Sequence, residues 1–292
     1  MQNTPPLNTE PQETAPQPAP SAPASTIPGR GASLSIRLCT NGLSFCVYTP
    51  DSDQPFTYKE YDMNHTISLA ANLKHALMTE PMLRQQYKRV NVLVTTSRCT
   101  TVPVALFKAE EINDIFTLNF PKESLQHITY NILRRSGVAL VFGIDKRAYQ
   151  LILDDFPRAR FYTSASTLIE LFCEKSQSEA NKKMYVYLHE KEMSIYIFDR
   201  DLLVFLNSYV TNDVSNMQYY ALNVWQQMEM DQIDDSLYVV GDNDQREEFA
   251  NKMQYFINNV TLINRKDDFR TRITNGYAFL PYDLQTLLIC GF

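Results

Sequence analysis

Three apolar runs separated by two short polar turns begin the second half of the chain, at 184–188, 193–198 and 202–206. They predict three consecutive strands. An amphipathic helix is predicted next, from about 213 to 230, because its apolar residues recur at helical spacing. Another apolar run then ends at Gly241, and a second helix follows. The order strand, strand, strand, helix, strand, helix predicts a mixed α/β architecture.

The first half of the chain predicts the same order of elements. Residues 34–38 alternate apolar and polar side chains, which is typical of a half-buried strand. Asn41-Gly42 follows and predicts a two-residue hairpin turn into a second strand at 43–48. A third strand at 56–61, a helix at 67–77 and a buried strand at 90–94 complete the pattern. The chain is therefore predicted to contain one α/β unit twice.

Additional elements are predicted between these two units. Further strands or edge elements are expected at 102–107, 115–120 and 127–133. A continuous apolar run at 138–144 predicts a strand that is covered on both faces.

Capping residues predict where several helices begin. Asp145 is expected to cap a helix that runs through Phe156, and Ser164 the helix after a short strand at 160–163. Asp244, with Glu247 three residues later, resembles a capping box at the start of the last predicted amphipathic helix. A short C-terminal helix or turn is expected at 284–288.

Composition predicts the domain organisation. Residues 1–31 are rich in Pro, Gln, Thr, Ser and Ala and predict a disordered tail, which is either inert or a short-motif ligand. Residues 174–183 contain one apolar side chain, an alanine, and predict a linker. We therefore expect a first domain at 32–176, which carries the extra strands, and a second domain at 177–292.

Charge and cysteine usage argue against several classes of protein. The formal net charge is -6 and no Lys/Arg cluster is longer than a pair, so no nucleic-acid partner is expected. The five cysteines form no C-x-x-C pair, which favours free thiols in the cytoplasm and no metal site. No apolar run reaches the ~18–20 residues that span a bilayer, so direct membrane insertion is not expected.

The repeated order of elements resembles the ribonuclease H-like unit. In duplicate, over residues 32–292, it is similar to the actin-like ATPase superfamily, and within it to the bacterial assembly proteins PilM and GspL. The chain also resembles an uncharacterised Bacteroidetes family of this length that is grouped with the superfamily. The resemblance implies two actin-like domains, each with a mixed sheet flanked by helices.

The resemblance also implies where a nucleotide would bind. ATPases of the superfamily hold phosphates with two Asp-x-Gly hairpins, because glycine lets backbone N–H groups approach the phosphate oxygens. The first hairpin here, 37–43, has no aspartate and keeps one glycine, Gly42, beside Asn41. Turn geometry is sufficient to explain that glycine.

The second hairpin and the adenosine turn depart further from the superfamily pattern. The hairpin at 188–193 has no glycine and places Glu190 and Glu192 where like charge would oppose a phosphate. The Gly-Gly turn of the superfamily is reduced to Gly241 followed by Asp242. A sharp strand-to-helix turn would also explain Gly241. The degenerate cleft positions of the chain are therefore Asn41, Gly42, Glu190, Glu192, Gly241 and Asp242.

Other catalytic constellations are weakly supported. The four histidines are far apart and lack metal-ligand spacing. A ribonuclease H-like nuclease needs a carboxylate within the first strand of its unit, and 185–188 contains none.

The sequence predicts a non-catalytic actin-like scaffold that binds a protein partner, with no cofactor and no metal. The alternative is a divergent nucleotide-binding ATPase or small-molecule kinase. Neither the partner nor the oligomeric state is specified by the sequence.

Overall fold

The computed structural model describes residues 31–39, 42–50, 52–121, 123, 125–177, 181–270, 272–277 and 279–290. The predicted tail, 1–31, lies outside this part except for Gly31. Asn41 lies outside it as well.

The first half begins with three strands and a helix and contains an insertion. Its elements are β1 (Ser33–Leu38), β2 (Leu43–Tyr48), β3 (Phe56–Tyr61), α1 (Leu69–Thr79), β4 (Arg89–Val94), β5 (Cys99–Pro103), α2 (Ile112–Asn119), β6 (Gln126–Leu133), β7 (Val138–Asp145), α3 (Lys146–Asp155), β8 (Arg160–Thr163) and α4 (Ser164–Ser176).

The second half repeats the pattern without the insertion. Its elements are β9 (Lys182–His189), β10 (Glu192–Asp199), β11 (Leu202–Val210), α5 (Val214–Gln227), β12 (Ser236–Gly241), α6 (Arg246–Met253), β13 (Asn259–Leu262), α7 (Arg265–Asp268) and α8 (Tyr282–Cys290).

Two five-stranded sheets have the same topology. The strand orders are β3-β2-β1-β4-β8 and β11-β10-β9-β12-β13. In each sheet the first three strands in sequence pair antiparallel, and the later two add in parallel. The duplicated α/β unit predicted from the sequence is confirmed. A third sheet, ordered β5-β7-β6, lies between β4 and β8 in sequence.

Helices cover both faces of the two large sheets. Leu73 of α1 and Ile152 of α3 belong to the core cluster on one face of the first sheet. On the corresponding face of the second sheet, Met217 of α5 and Phe249 of α6 are buried. The second sheet thus repeats the layering of the first.

Two helices lie between the large sheets, and each packs on the sheet of the other half. Phe172 of α4 packs with Tyr185 and Tyr196 of the second sheet. Leu284 of α8 packs with Leu93 of the first sheet. Helices α4 and α8 also contact each other. Each half therefore supplies the helix that covers the inner face of the sheet of the other half, and the division at 176/177 stays a prediction.

Several predicted boundaries differ from the structure. The expected strand at 115–120 is wrong, since these residues form most of α2. Its apolar side chains follow helical rather than strand geometry, with Phe116 buried and Leu118 exposed. The predicted linker is too long, because α4 extends to Ser176 and β9 begins at Lys182. The Lys183 ammonium, inside that stretch, is buried and donates to the Ser176 carbonyl at 3.1 Å.

The helix caps are partly as predicted. Asp145 caps α3 by accepting from the Ala148 N–H at 2.8 Å, as expected. The residue that caps α4 is Thr163, one residue before the predicted Ser164. The predicted Asp244 cap is wrong: α6 begins at Arg246 without a side-chain cap, and the nearby turn is held by Asn243 instead.

Within the described residues, no helix combines the length and the apolar character needed to cross a membrane.

Candidate functional site

A buried ion pair joins the first hairpin to α8. Leu34, Ile36 and Leu38 of β1 point into the outer core cluster, so Arg37 points to the inner face that α8 covers. There the Arg37 Nε donates to both carboxylate oxygens of Asp283, at 2.9 and 3.0 Å. Asp283 is fully buried and the Arg37 side chain is 12% exposed.

The Asp283 carboxylate accepts further hydrogen bonds from three elements. The Ser164 hydroxyl at the start of α4 donates at 2.9 Å, and the Thr95 hydroxyl after β4 at 3.3 Å. The Leu284 N–H donates at 2.8 Å. Burial alone would raise the pKa of Asp283, but the Arg37 guanidinium, with a smaller contribution from the Ser164 hydroxyl, holds it below its usual value. Asp283 is therefore a carboxylate whose charge and acceptor sites are satisfied within the protein.

Side chains of the second hairpin face the same ion pair. Tyr187 and His189 alternate with the core residues of β9 and are buried with stacked rings. Burial lowers the pKa of His189 to about 4; the Asp283 charge acts against this and Arg37 adds to it. Burial and the Asp283 charge raise the pKa of Cys39 in the first hairpin, and Glu190 of the second hairpin adds to this. The two hairpins thus meet at one polar cluster.

Two atoms of this cluster lack a hydrogen-bond partner. Among the described residues, nothing bonds to the Tyr187 hydroxyl or to the His189 Nδ1. The burial that raises the pKa of Tyr187 keeps its hydroxyl protonated. The Tyr187 and His189 side chains that the second half contributes to the cluster are therefore uncharged at neutral pH.

Gly241 is required by a close contact between strands. Its φ is +117°, and a Cβ at this position would lie 2.1 Å from the Leu188 carbonyl oxygen. That oxygen also accepts from the N–H groups of Asp242 and Asn243, at 3.1 and 3.3 Å. The strand-to-helix turn therefore explains this glycine without a nucleotide.

Asp242 anchors the beginning of α8. One carboxylate oxygen accepts from the Tyr282 N–H at 2.9 Å, and the other pairs with Arg265. Arg265 also donates to the Leu280 carbonyl at 2.8 Å. The residue that replaces the second glycine of the adenosine turn thus holds the helix that carries Asp283.

The remaining predicted cleft positions lie at the hairpin turns. Gly42 exchanges backbone hydrogen bonds with Cys39. Asn41 lies outside the described residues, so the predicted Asn41-Gly42 turn stays a prediction. In the second hairpin Glu190 is exposed with φ +45°, and Glu192 is partly buried. The Arg37–Asp283 pair lies close to side chains of both hairpins, at Cys39 of the first and at Tyr187 and His189 of the second.

The chemistry available to these groups is limited. Burial raises the pKa of the Cys39 thiol to about 12, so it stays protonated and is a poor nucleophile. The described residues contain no group of three or more His, Cys, Asp or Glu side chains that could hold a metal ion. The Arg37 charge that could attract a phosphate is already paired.

Sequence reasoning missed the residues at the centre of this site. The hairpin pattern includes Arg37 only as its first residue and gives no connection to Thr95, Ser164 or Asp283. One signal was present: Arg37 is a charged residue between Ile36 and Leu38 in a strand. Pairing across 246 residues is not encoded in local spacing.

Comparisons with known proteins agree with this architecture. A family model described as "Protein of unknown function (DUF3822)" matches residues 25–260. A Bacteroides thetaiotaomicron VPI-5482 protein of unknown function with an actin-like ATPase fold is 35% identical, covers 89% of this chain and 96% of its own, and superposes with a TM-score of 0.77. No curated protein matches the chain.

A more distant structure shares the fold alone. A chain of the PilM–PilN type IV pilus biogenesis complex is 9% identical over 89% of this chain and 97% of its own, with a TM-score of 0.57. The predicted fold class, a duplicated α/β unit of the actin-like ATPase type, is confirmed.

Breaking the buried pair should be costly. Arg37→Met leaves the Asp283 carboxylate buried without its partner, so the free energy of unfolding should fall by about 3–5 kcal/mol. The double variant with Asp283→Asn should lose clearly less than the sum of the two single variants, measured by urea denaturation. Lys252→Met, which removes an exposed pair with Glu248, is the control and should have little effect. Additive losses at Arg37 and Asp283 would show that the pair is not coupled.

His189 should make the protein less stable in mild acid. Its pKa is about 6.5 in the unfolded chain and about 4 in the fold, so the unfolded chain binds the extra proton between these values. The free energy of unfolding should fall by up to about 3 kcal/mol as the pH drops from 6.5 to 4. His189→Gln should remove this component, measured as the difference between the two proteins at each pH. Parallel pH profiles would contradict the assignment.

Gly241→Ala should destabilise the second sheet. The backbone strain and the contact with the Leu188 carbonyl should together cost about 3 kcal/mol or more. Gly137→Ala is the matched control, since φ is +68° there but a Cβ meets open space, and it should cost about 1 kcal/mol. Equal losses in thermal and urea denaturation would show that backbone strain alone matters at Gly241.

Proposed function

The chain belongs to the DUF3822 family, and we propose that it acts as a non-catalytic actin-like scaffold that binds a protein partner. The observation that carries the proposal is the Arg37–Asp283 pair, which lies between the two hairpins. The resemblance to the superfamily implies phosphates at that position. There Arg37 and the hydroxyls of Ser164 and Thr95 donate to Asp283, so these donors are not available to a phosphate.

The cost of opening this site supports the same conclusion. A phosphate bound by Arg37 would have to displace the Asp283 carboxylate of α8, a helix that Asp242 also anchors at its start. Displacement would leave Arg37 and Asp283 to find new partners, and separating a buried pair costs about 3–5 kcal/mol. The exposed Glu190 adds negative charge at the mouth of the second hairpin.

A protein partner is supported by an uncharged edge strand. β11 ends the second sheet and exposes the apolar side chains of Leu202, Val204 and Val210. The equivalent edge strand of the first sheet, β3, includes Lys59 and Glu60, as edges that avoid pairing commonly do. An unpaired strand without charge favours contact with another polypeptide. The distant structural neighbour named above is itself part of a two-protein complex.

We place this role in the cytoplasm, with domains at 32–176 and 177–292 and without a nucleic-acid partner. All five cysteines are free thiols, which fits a reducing compartment. The net charge of -6 argues against binding to a polyanion.

The proposal is tested by thermal unfolding with Mg-ATP. We expect no change in Tm at millimolar Mg-ATP compared with Mg²⁺ alone. A ligand present at 100 times its Kd would stabilise the fold by about 2.7 kcal/mol, so binding would be visible. An upward shift that needs both Mg²⁺ and ATP would overturn the proposal in favour of an ATPase or kinase.

A charge-reversal variant shows whether any bound nucleotide lies in the cleft between the hairpins. Glu190→Lys reverses an exposed charge at the second hairpin. If nucleotide enters the cleft, this variant should bind it more tightly than the unchanged chain. If the proposal is correct, isothermal titration should detect no Mg-ATP binding to either protein.

A further inference from the structure

A groove of about 500 Å³ lies at the end of the first sheet where β4 and β8 begin, opposite the turn between β1 and β2. It is lined by two segments, 85–90 before and within β4 and 155–159 after α3. The apolar part of its wall comes from Tyr87, Phe156 and Pro157. Tyr87 is held in place because its hydroxyl donates to the Met82 carbonyl. Aromatic-lined grooves of this kind accommodate polyproline II segments.

The groove also contains an unused hydrogen-bonding atom. The Gln85 Oε1 is buried and has no partner among the described residues. A buried acceptor without a donor costs about 1–3 kcal/mol, so a ligand that supplies an N–H would be favoured there. A polyproline II segment makes no internal backbone hydrogen bonds, and the N–H groups of its non-proline residues are free to donate.

The chain itself has a proline-rich segment ahead of its first described residue. Eight of the 15 prolines lie within residues 1–30, and Pro16-Gln17-Pro18-Ala19-Pro20-Ser21-Ala22-Pro23 is the densest run. The described chain starts at Gly31, and the Ala32 carbonyl accepts from the N–H of Lys88, which lines the groove. The seven residues 24–30 span up to about 23 Å, which is sufficient for the run to reach back to the groove.

Charge favours the same pairing. The groove lining contains three basic residues, Lys88, Arg89 and Arg158, and one acidic residue, Asp155. Residues 1–29 contain two acidic side chains, Glu10 and Glu13, and no basic one. Since both glutamates precede the proline run by a few residues, they can approach the basic rim when the run is docked.

We propose that residues 16–23 dock in this groove as a polyproline II segment of the same molecule. The prolines pack on Tyr87, Phe156 and Pro157, and a backbone N–H of the run donates to the Gln85 Oε1. Because the segment is covalently linked to the adjacent strand, its effective concentration is in the millimolar range, and weak contacts are sufficient. Docking of the segment in this groove does not depend on whether the cleft between the hairpins binds a nucleotide.

The test is site-specific photo-cross-linking in the full chain. Benzoylphenylalanine replaces Ala19, and cross-linked peptides are identified by mass spectrometry after irradiation. We expect cross-links to 85–90 or 155–159 within a single chain. Cross-links that join two chains would assign the groove to a second copy and overturn the proposal. Cross-links confined to other surfaces, or none, would also overturn it.

Two charge-reversal variants distinguish specific docking of the segment in the groove from cross-linking that results from proximity alone. Lys88→Glu with Arg158→Glu reverses exposed charges on the rim and should reduce the cross-link yield several-fold. Lys74→Glu with Arg134→Glu is the matched control, with the same charge change at exposed positions elsewhere, and should not change it. An excess of a free peptide of residues 10–25 should compete with the tail in the unchanged chain. Equal yields in both variants and no competition would show that the tail does not bind the groove.

Discussion

The buried pair of Arg37 and Asp283 determines how the two halves of the molecule fit together. The Arg37 side chain lies on the face of β1 that is turned toward the second half of the molecule. A guanidinium buried at this position needs a partner, because burying a charge without a counter-charge is unfavourable. Asp283 supplies it from α8, and the hydroxyls of Thr95 and Ser164 occupy the remaining acceptor sites of the carboxylate. This interaction, together with the contact between Asp242 and the Tyr282 N–H, fixes where α8 lies between the two halves.

The alternation of side chains along two equivalent strands builds the site. In β1 the even-numbered residues enter the outer core, and in β9 Met184, Val186 and Leu188 do the same. The inner face therefore receives Arg37 from one hairpin and Tyr187 and His189 from the other. A duplicated unit thus places a charged group on one side of the cleft and neutral, buried rings on the other. This asymmetry distinguishes the cleft from a pair of similar phosphate-binding hairpins.

The fold could be predicted from the sequence because its signals are local. Apolar runs, and alternation at 34–38, indicate most strands of the two large sheets, and Asp145 indicates the start of α3. The errors arose where a local pattern has two interpretations, as at 115–120, where four apolar residues in six positions suit a strand but form α2. The site was less predictable. Gly241 and Asp242 were identified as departures from a motif, but their roles depend on Leu188 and Tyr282, which are distant in sequence.

The separation of Arg37 and Asp283 along the chain has a consequence for biosynthesis. The partner of Arg37 is translated 246 residues later, which at 5–20 residues per second corresponds to about 10–50 s. During that interval the inner face of the first sheet lacks both its counter-charge and the helix that covers it. The exposed apolar surface of Cys46, Leu93 and Tyr162 is then available to chaperones or to other nascent chains. The first half is therefore synthesised early, but the inner face of its sheet is covered only after α8 has been translated.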